Sequence, residues 1–451
     1  MKKYILFPLL FMAFLGMSNR VNAQVEDVSR PLLQYINKDQ GIRFTAGARL
    51  FADVAYYHSN YTPMKSGAAI TDARIRTSLT YRQWYFYGDF DFSKGTFKQK
   101  NLFVRYNFLE SEYGIHSVKA GYFNEPSSMS LNASLYNYHF ISRAAPAMAL
   151  SAGRGLGITY KYYSLRYFAD QGIFAENKYN DQISGFQGIS LGGRWLYKPI
   201  NNEYMTLHFG TSFRYGRINT GKVVDNVFKT EIELESNLQT YVDGTTKFLH
   251  ADVPWAKNTI TVSPEVLVVT SNMFLRGEYI YKRIYKKRDN MALFENQLGG
   301  VWSWTTLDAW KAGNPMRSSS FQGAYVELGY LLCGEGYGSD DEYGILRGCN
   351  DGGDLEVVVR YSYTDLNDIN KGDFFLIGKQ VFYPGGVVAD YPPASTSIGG
   401  GRLHAVTIGV NYTLNPYVKV MGEYQYSHLK NVYFPLDKNF HQLQMRLEVS
   451  F

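Results

Sequence analysis

Alternation with a period of two residues recurs through nearly the whole chain, and no other feature limits the fold so strongly. In the first run Phe44, Ala46, Ala48, Leu50, Ala52 and Val54 share one face, while Arg43, Thr45, Gly47, Arg49 and Asp53 share the other. Side chains alternate across a strand, so such a run sets an apolar face against a charged one. The pattern returns in residues 73–82, where Ile75, Leu79 and Tyr81 oppose Arg74, Arg76, Ser78, Thr80 and Arg82. After Gln83 it resumes, with Trp84, Phe86, Phe90 and Phe92 against Tyr85, Tyr87, Asp89 and Asp91. So short a break between two such runs predicts a hairpin.

The same rule places strands near 99–109, 117–125, 154–163, 164–175, 187–198, 204–217, 258–269, 273–285, 319–332, 354–365, 402–413, 416–428 and 440–451. With the first three they make about sixteen strands, each of roughly 9 to 15 residues, long enough to cross a bilayer when tilted. In the last run Leu443, Met445, Leu447, Val449 and the terminal Phe451 alternate with Gln444, Arg446, Glu448 and Ser450. That ending looks like the terminal strand read by outer-membrane assembly machinery. The fold predicted is all-β, a transmembrane antiparallel β-barrel of about 16 strands, with a secreted β-sandwich array as its competitor.

An even strand count returns both ends of the barrel to the periplasm. Short connections at 82–83 and 415–416 then fall on that side, and the long segments 126–153, 218–257, 286–318 and 366–401 fall outside. Residues 333–353 form a longer piece at a periplasmic turn. The segment after Glu125-Pro126 is rich in Ser, Ala and Asn and has no clean alternation. Proline cannot donate to a ladder, and long loops in compact folds are usually functional. This third external loop is expected to fold inward and narrow the lumen.

The N-terminus reads as an export signal. Lys2 and Lys3 precede an apolar run from Tyr4 to Met17, and Val21-Asn22-Ala23 puts small residues before a cut at Gln24. Residues 1–23 are thus expected to be removed, with 24–41 a short irregular periplasmic segment and 42–451 the barrel. The chain holds 38 Tyr, 29 Phe and 6 Trp at a mean hydropathy of -0.26. Aromatic richness without long apolar runs suits a barrel, whose strands hide their hydrophobicity in alternation. Loss of Lys2, Lys3 and Arg20 with the leader takes 46 basic residues to 43, against 40 acidic ones. That balance implies no nucleic-acid partner.

Several ordered pieces resemble the core of the phosphate-selective porin O/P family. They are Gly121-Tyr122-Phe123-Asn124-Glu125-Pro126, Phe140-Ile141-Ser142-Arg143, Arg154-Gly155-Leu156-Gly157 and Gly172-Ile173-Phe174. Further on come Leu207-His208-Phe209-Gly210, Arg276-Gly277-Glu278-Tyr279, Leu332-Cys333-Gly334-Glu335 and the stretch from Glu356 to Ser362, followed by Asp365-Leu366. The resemblance spans nearly the whole mature chain. It implies a sixteen-stranded, homotrimeric outer-membrane barrel of a Gram-negative bacterium, its third loop in the pore and its lumen lined by arginines that draw anions inward. Two departures bear on phosphate: the loop from Pro126 to Gly153 holds only Arg143, beside Tyr136, Tyr138 and His139, and Asn124 stands where the family commonly has lysine.

From the residues themselves, the water-facing sides of the strands carry Arg43, Arg49, Arg74, Arg76, Arg82, Arg105, Lys161, Arg166, Arg194, Arg214, Arg276, Arg360 and Lys419. Fewer acids oppose them: Asp53, Asp89, Asp91, Asp170, Glu278, Glu356 and Glu423. Arginine suits an oxyanion path because its planar fork bonds bidentately and its charge cannot be titrated away. The anion-binding set expected is Arg49, Arg74, Arg76, Arg105, Arg143, Arg154, Arg166, Arg194, Arg214 and Arg360. The alternative is that these charges pair across the lumen as structural salt bridges.

Export favours a disulfide between Cys333 and Cys349 within one loop. The acidic pieces 339–342 and 351–354 suit a loose surface loop better than a calcium site, and Lys286-Lys287-Arg288 suits a solvated rim better than a contact with lipopolysaccharide. No His-Glu-x-x-His, phosphate-binding glycine loop or Gly-x-Ser-x-Gly elbow occurs, so no metal or cofactor is called for. The function expected is passive diffusion of small anionic or polar solutes, phosphate and other oxyanions included, across a lipid outer membrane. A barrel-borne hydrolase using His58, His139 or His250, and an adhesive or structural barrel, are the other readings. Enzyme assay and channel conductance separate the three.

Overall fold

The structure, a computed structural model, describes residues 31–451 apart from 61–63, 94, 96, 177–186, 225–226, 245, 287–316, 350–351, 370–378, 383–387, 392–396 and 432–433. Sixteen antiparallel strands close into a barrel. They are β1 (Ile42–Ser59), β2 (Gly67–Tyr81), β3 (Trp84–Asp91), β4 (Lys98–Ser111), β5 (Gly114–Asn124), β6 (Arg154–Tyr163), β7 (Tyr167–Ala175) and β8 (Ile189–Asn201). They continue as β9 (Met205–Arg217), β10 (Ala256–Thr270), β11 (Met273–Lys286), β12 (Ser319–Cys333), β13 (Asp354–Asp368), β14 (Ile398–Asn415), β15 (Val418–Asn431) and β16 (Phe434–Ser450). Each strand pairs with its sequence neighbour, and β16 closes the ring on β1 from Arg49↔Ser450 to Ser59↔Phe440.

Every strand expected from alternation is present and in order. One correction lies at the start: residues 33–37, read as irregular, form a strand, Leu33–Asn37, along the lower part of β1. It takes up the edge of β1 that β16 leaves free below Ala48, whose carbonyl accepts the Phe451 N–H at 2.8 Å.

The outward face is aliphatic at mid-height, with Leu50, Ile75, Leu102, Ile158, Val326 and Ile408 exposed. Tyr81, Trp84, Tyr167, Tyr197, Tyr330 and Tyr412 stand exposed toward the short turns. An apolar band flanked by an aromatic girdle is the outer surface of a bilayer-spanning barrel. Gly121 (φ +141°) marks a close approach of strands, because a Cβ there would lie 2.3 Å from the Leu102 carbonyl.

The inward face is polar, and among the described residues three of the connecting segments run against it. The segment between β5 and β6 carries α1 (Met129–Asn132) and α2 (Ala145–Leu150). Its Ser128 hydroxyl donates to Glu278 on β11 at 2.9 Å, the Ile141 N–H donates to Glu423 on β15 at 2.5 Å, and the Leu150 carbonyl accepts from Lys282 on β11 at 2.9 Å. A segment that leaves β5 and reaches buried residues of β11 and β15 crosses the interior.

The second segment, 218–255, falls within the stretch 218–257 expected on the outer side. It carries a three-stranded sheet, Gly221–Val224, Val227–Ser236 and Leu249–Pro254, and its middle turns inward. There the Leu238 carbonyl accepts from Gln425 and Gln442, and the Gln239 side chain accepts from Ala145 N and the Ser362 hydroxyl. The third, 334–353, enters from the end of the short turns. Apolar side chains of the segments pack in two clusters, one around α2 with Leu238, Ile284 and Leu403, the other joining Tyr138 and Phe140 to Phe274, Leu346 and Val358.

Candidate functional site

The inward charges form two kinds of arrangement. Along β1–β3 and β9–β16 most of the arginines are paired with carboxylates, while Lys282 rests on the Leu150 carbonyl and Glu278 takes the hydroxyls of Ser128, Ser263 and Tyr325. Arg446 grips Asp53 bidentately at 2.7 Å on both arms, and Glu327 stands between Arg276 at 2.5 Å and Arg360 at 3.6 Å. Arg49 holds Asp72 bidentately, and Arg74 bridges Asp72 and Asp89, each at 2.8 Å. Arg214 takes Glu125 from the end of β5.

Along β4–β8 the balance differs. Arg105, Lys119, Lys161, Arg194 and Lys198 are buried there, and the buried carboxylate on those five strands is Asp170. Arg194 is committed bidentately to Glu265 on β10. The third segment supplies the remaining negative charge. Its tip is a tight turn between Ser339–Asp340 and Ile345–Leu346. Glu342 pairs with Arg105, and Asp341 accepts from Lys198 and from Asn201. Arg194 donates to the carbonyls of Tyr343 and Gly344, and the Lys161 ammonium lies 4.0 Å from the Tyr343 ring centre. Burial, with Glu342 beside it, raises the Asp340 carboxyl to about 6. The acidic piece read as a loose surface loop is therefore an interior element.

The ten residues expected to bind anions divide accordingly. Arg49, Arg74, Arg105, Arg194, Arg214 and Arg360 are paired with carboxylates. Arg143 and Arg154 bond to neutral oxygens, the Ser130 and Ala133 carbonyls and Asn101 respectively, and Arg76 bonds to the Ser450 hydroxyl and to a main-chain oxygen of Phe451. Arg143 thus ties its own loop together. Arg166 is a correction, since it is exposed in the turn 164–166 and not on the wall, because β7 begins only at Tyr167.

Lys119 and Lys198, absent from the expected set, were available from the same alternation, two residues from Ser117 and four from Arg194. The acids Glu265 and Glu327 were available in the same way, in phase with Thr261 and Ser263 and alternating with Val326 and Leu328, and Asp72 lies two residues before Arg74. No disulfide joins Cys333 and Cys349 in this structure. Cys333 is exposed at the end of β12, whereas Cys349 is buried with Tyr337, Leu346 and Val358, so they lie in different environments. Lys286 is described, but Lys287 and Arg288 lie outside the described residues.

His139 is where the loop segment meets the turn segment. Its Nδ1 faces Glu356 on β13 at 2.8 Å and its Nε2 faces the Arg347 carbonyl at 3.2 Å. Tyr337 also donates to Glu356, at 2.7 Å. Ligand atoms of His139, Cys349 and Glu356 lie within 4.8 Å of one another, a set that suits zinc by type. Both imidazole nitrogens are already opposed by oxygen acceptors, so the arrangement works as a hydrogen-bonded joint.

A family model described as phosphate-selective porin O and P matches residues 44–451. No curated protein matches the sequence. Among solved structures, a loop L8 deletion mutant of OmpT, an outer membrane protein of Vibrio cholerae, is 12% identical, with 90% of this chain and 99% of that chain covered at a TM-score of 0.49. An anion-selective porin from Comamonas acidovorans is 13% identical over 91% of this chain and 100% of its own, at 0.48. The outer membrane channel DcaP of Acinetobacter baumannii is 11% identical over 93% and 100%, at 0.49.

Proposed function

The chain belongs to the phosphate-selective porin O and P family, an outer-membrane channel of a Gram-negative bacterium, and from that premise we propose that it passes small anions in preference to cations. One observation carries the preference: beyond Arg105, Arg194 and Lys198, which are paired with carboxylates, β4–β8 bury Lys119 and Lys161 with Asp170 as the buried carboxylate on those strands. Fixed charge in a low-dielectric passage concentrates the counter-ion, and rings or columns of such residues set selectivity. The porin acts by passive diffusion and not by catalysis. Its solutes include polar molecules as well as oxyanions. In bilayers under a potassium chloride gradient the reversal potential should have the anion-selective sign, and Lys119→Gln with Lys161→Gln should reduce it. A cation-selective open channel would remove the preference and leave the porin.

The porin also assembles as a homotrimer in contact with outer-membrane lipid and lipopolysaccharide. Family membership supports the trimer, and the exposed aliphatic band supports the lipid contact. An unboiled sample in detergent should migrate as a trimer and collapse to monomer on heating. Migration as monomer before heating counts against the assembly.

A further inference from the structure

The tip of the third segment differs from its flanks in what holds it. Tyr337, Ile345, Leu346 and Cys349 are packed in an apolar cluster with Phe274 and Val358. Between those anchors, the side chains of Asp341 and Glu342 rest on Lys198 with Asn201, and on Arg105. Gly344, at φ +58°, lets the tip approach the wall, since a Cβ there would lie 2.1 Å from the Leu196 side chain. Two carboxylates on adjacent residues, each on its own cation, present the charge pattern of a small dicarboxylate.

We propose that the wall cations Arg105 and Lys198, with Lys119 and Lys161 beside them, form a dicarboxylate-binding site that the chain's own Asp341 and Glu342 occupy. A solute dicarboxylate and the tip then exchange for one site. Exchange is the favourable route because withdrawal of the tip alone would strand buried cations with only Asp170 on those strands to oppose them. A dianion entering as the tip leaves keeps the wall neutralised. The flanking apolar anchors hold the segment in the lumen throughout, so the tip remains close enough to return. This assignment rests on the reading of the protein as an anion-passing porin and adds the class of solute and an internal competitor.

The test uses the full chain in planar bilayers, with succinate and inorganic phosphate added to potassium chloride. Asp341→Asn combined with Glu342→Gln keeps the shape of the tip and removes its charge. Succinate should block chloride current at a several-fold lower concentration in this variant than in the natural protein, with a smaller change for phosphate. The remote, exposed Asp252→Asn should leave both unchanged. Equal succinate dependence in the variant and the natural protein overturns the proposal. An equal gain for phosphate overturns the dicarboxylate assignment. Should the double variant not assemble, Asp341→Asn alone serves, because that side chain is 23% exposed and the amide oxygen still accepts from Lys198. The reversal potential before any succinate is added reports the anion preference separately, and the succinate comparison is read whichever sign it has.

Discussion

Replacement of Glu327 by alanine is expected to cost about 3–5 kcal/mol of barrel stability, the usual penalty for removing one partner of a buried ion pair. Glu327 on β12 lies in register with Arg276 on β11 and with Arg360 on β13. All three side chains are fully buried, so no solvent screens what remains. Arg360 keeps its bond to the Ser142 carbonyl at 2.6 Å and its place over the Phe140 ring. Arg276 fares worse: beyond Glu327 it has the face of Tyr138, 4.6 Å from its guanidinium carbon, and its two terminal nitrogens have no hydrogen-bond partner among the described residues. Glu327→Gln should fall between the two, because an amide oxygen still accepts. The temperature at which the folded band unfolds in detergent measures the effect. Glu235→Ala, which breaks an exposed pair with Lys247, should shift it little. An unchanged transition in Glu327→Ala would mean that the lumen solvates the arginines.

Excision of residues 127–152 should raise single-channel conductance several-fold. The Glu125 N–H donates to the Gly153 carbonyl at 3.0 Å, so the ends of the excised piece already touch and a short glycine-serine turn can join them. Neither β5 nor β6 loses a ladder bond, since their register runs from Ile115↔Tyr163 to Asn124↔Arg154. What disappears is a segment that crosses the barrel to β11, β13 and β15. Planar-bilayer recording against the natural protein gives the ratio. No increase would show that segments 218–255 and 334–353 set the limiting resistance.

The wall was legible from the sequence because a strand with lipid on one side and water on the other must alternate, and that demand recurs in every hairpin. The contents of the barrel were not. Whether Asp341 and Glu342 are solvated or seated depends on Arg105 and Lys198, which lie far away in sequence. Alternation also told which arginines point inward but not which are neutralised. Arg276 meets Glu327, and Asp53 meets Arg446, through strand register, which no single run of residues encodes. The loop 126–153 announced itself by its length, whereas the segment 218–255 concealed an inward turn between pieces of ordinary strand.

The meeting of the first and third segments at His139 bears on the order in which the molecule can be made. One enters from the end of the long loops and the other from the end of the short turns, and they touch through the Arg347 carbonyl and Glu356. The ring that encloses them is sealed by β16 on β1, which join the last residues of the chain to nearly the first. Pairing of such distant residues is intrinsically slow, because loop closure precedes any reward from the contact. Once the seam is closed neither segment has a lateral route inward, and a misplaced one can be corrected only through its own end of the barrel.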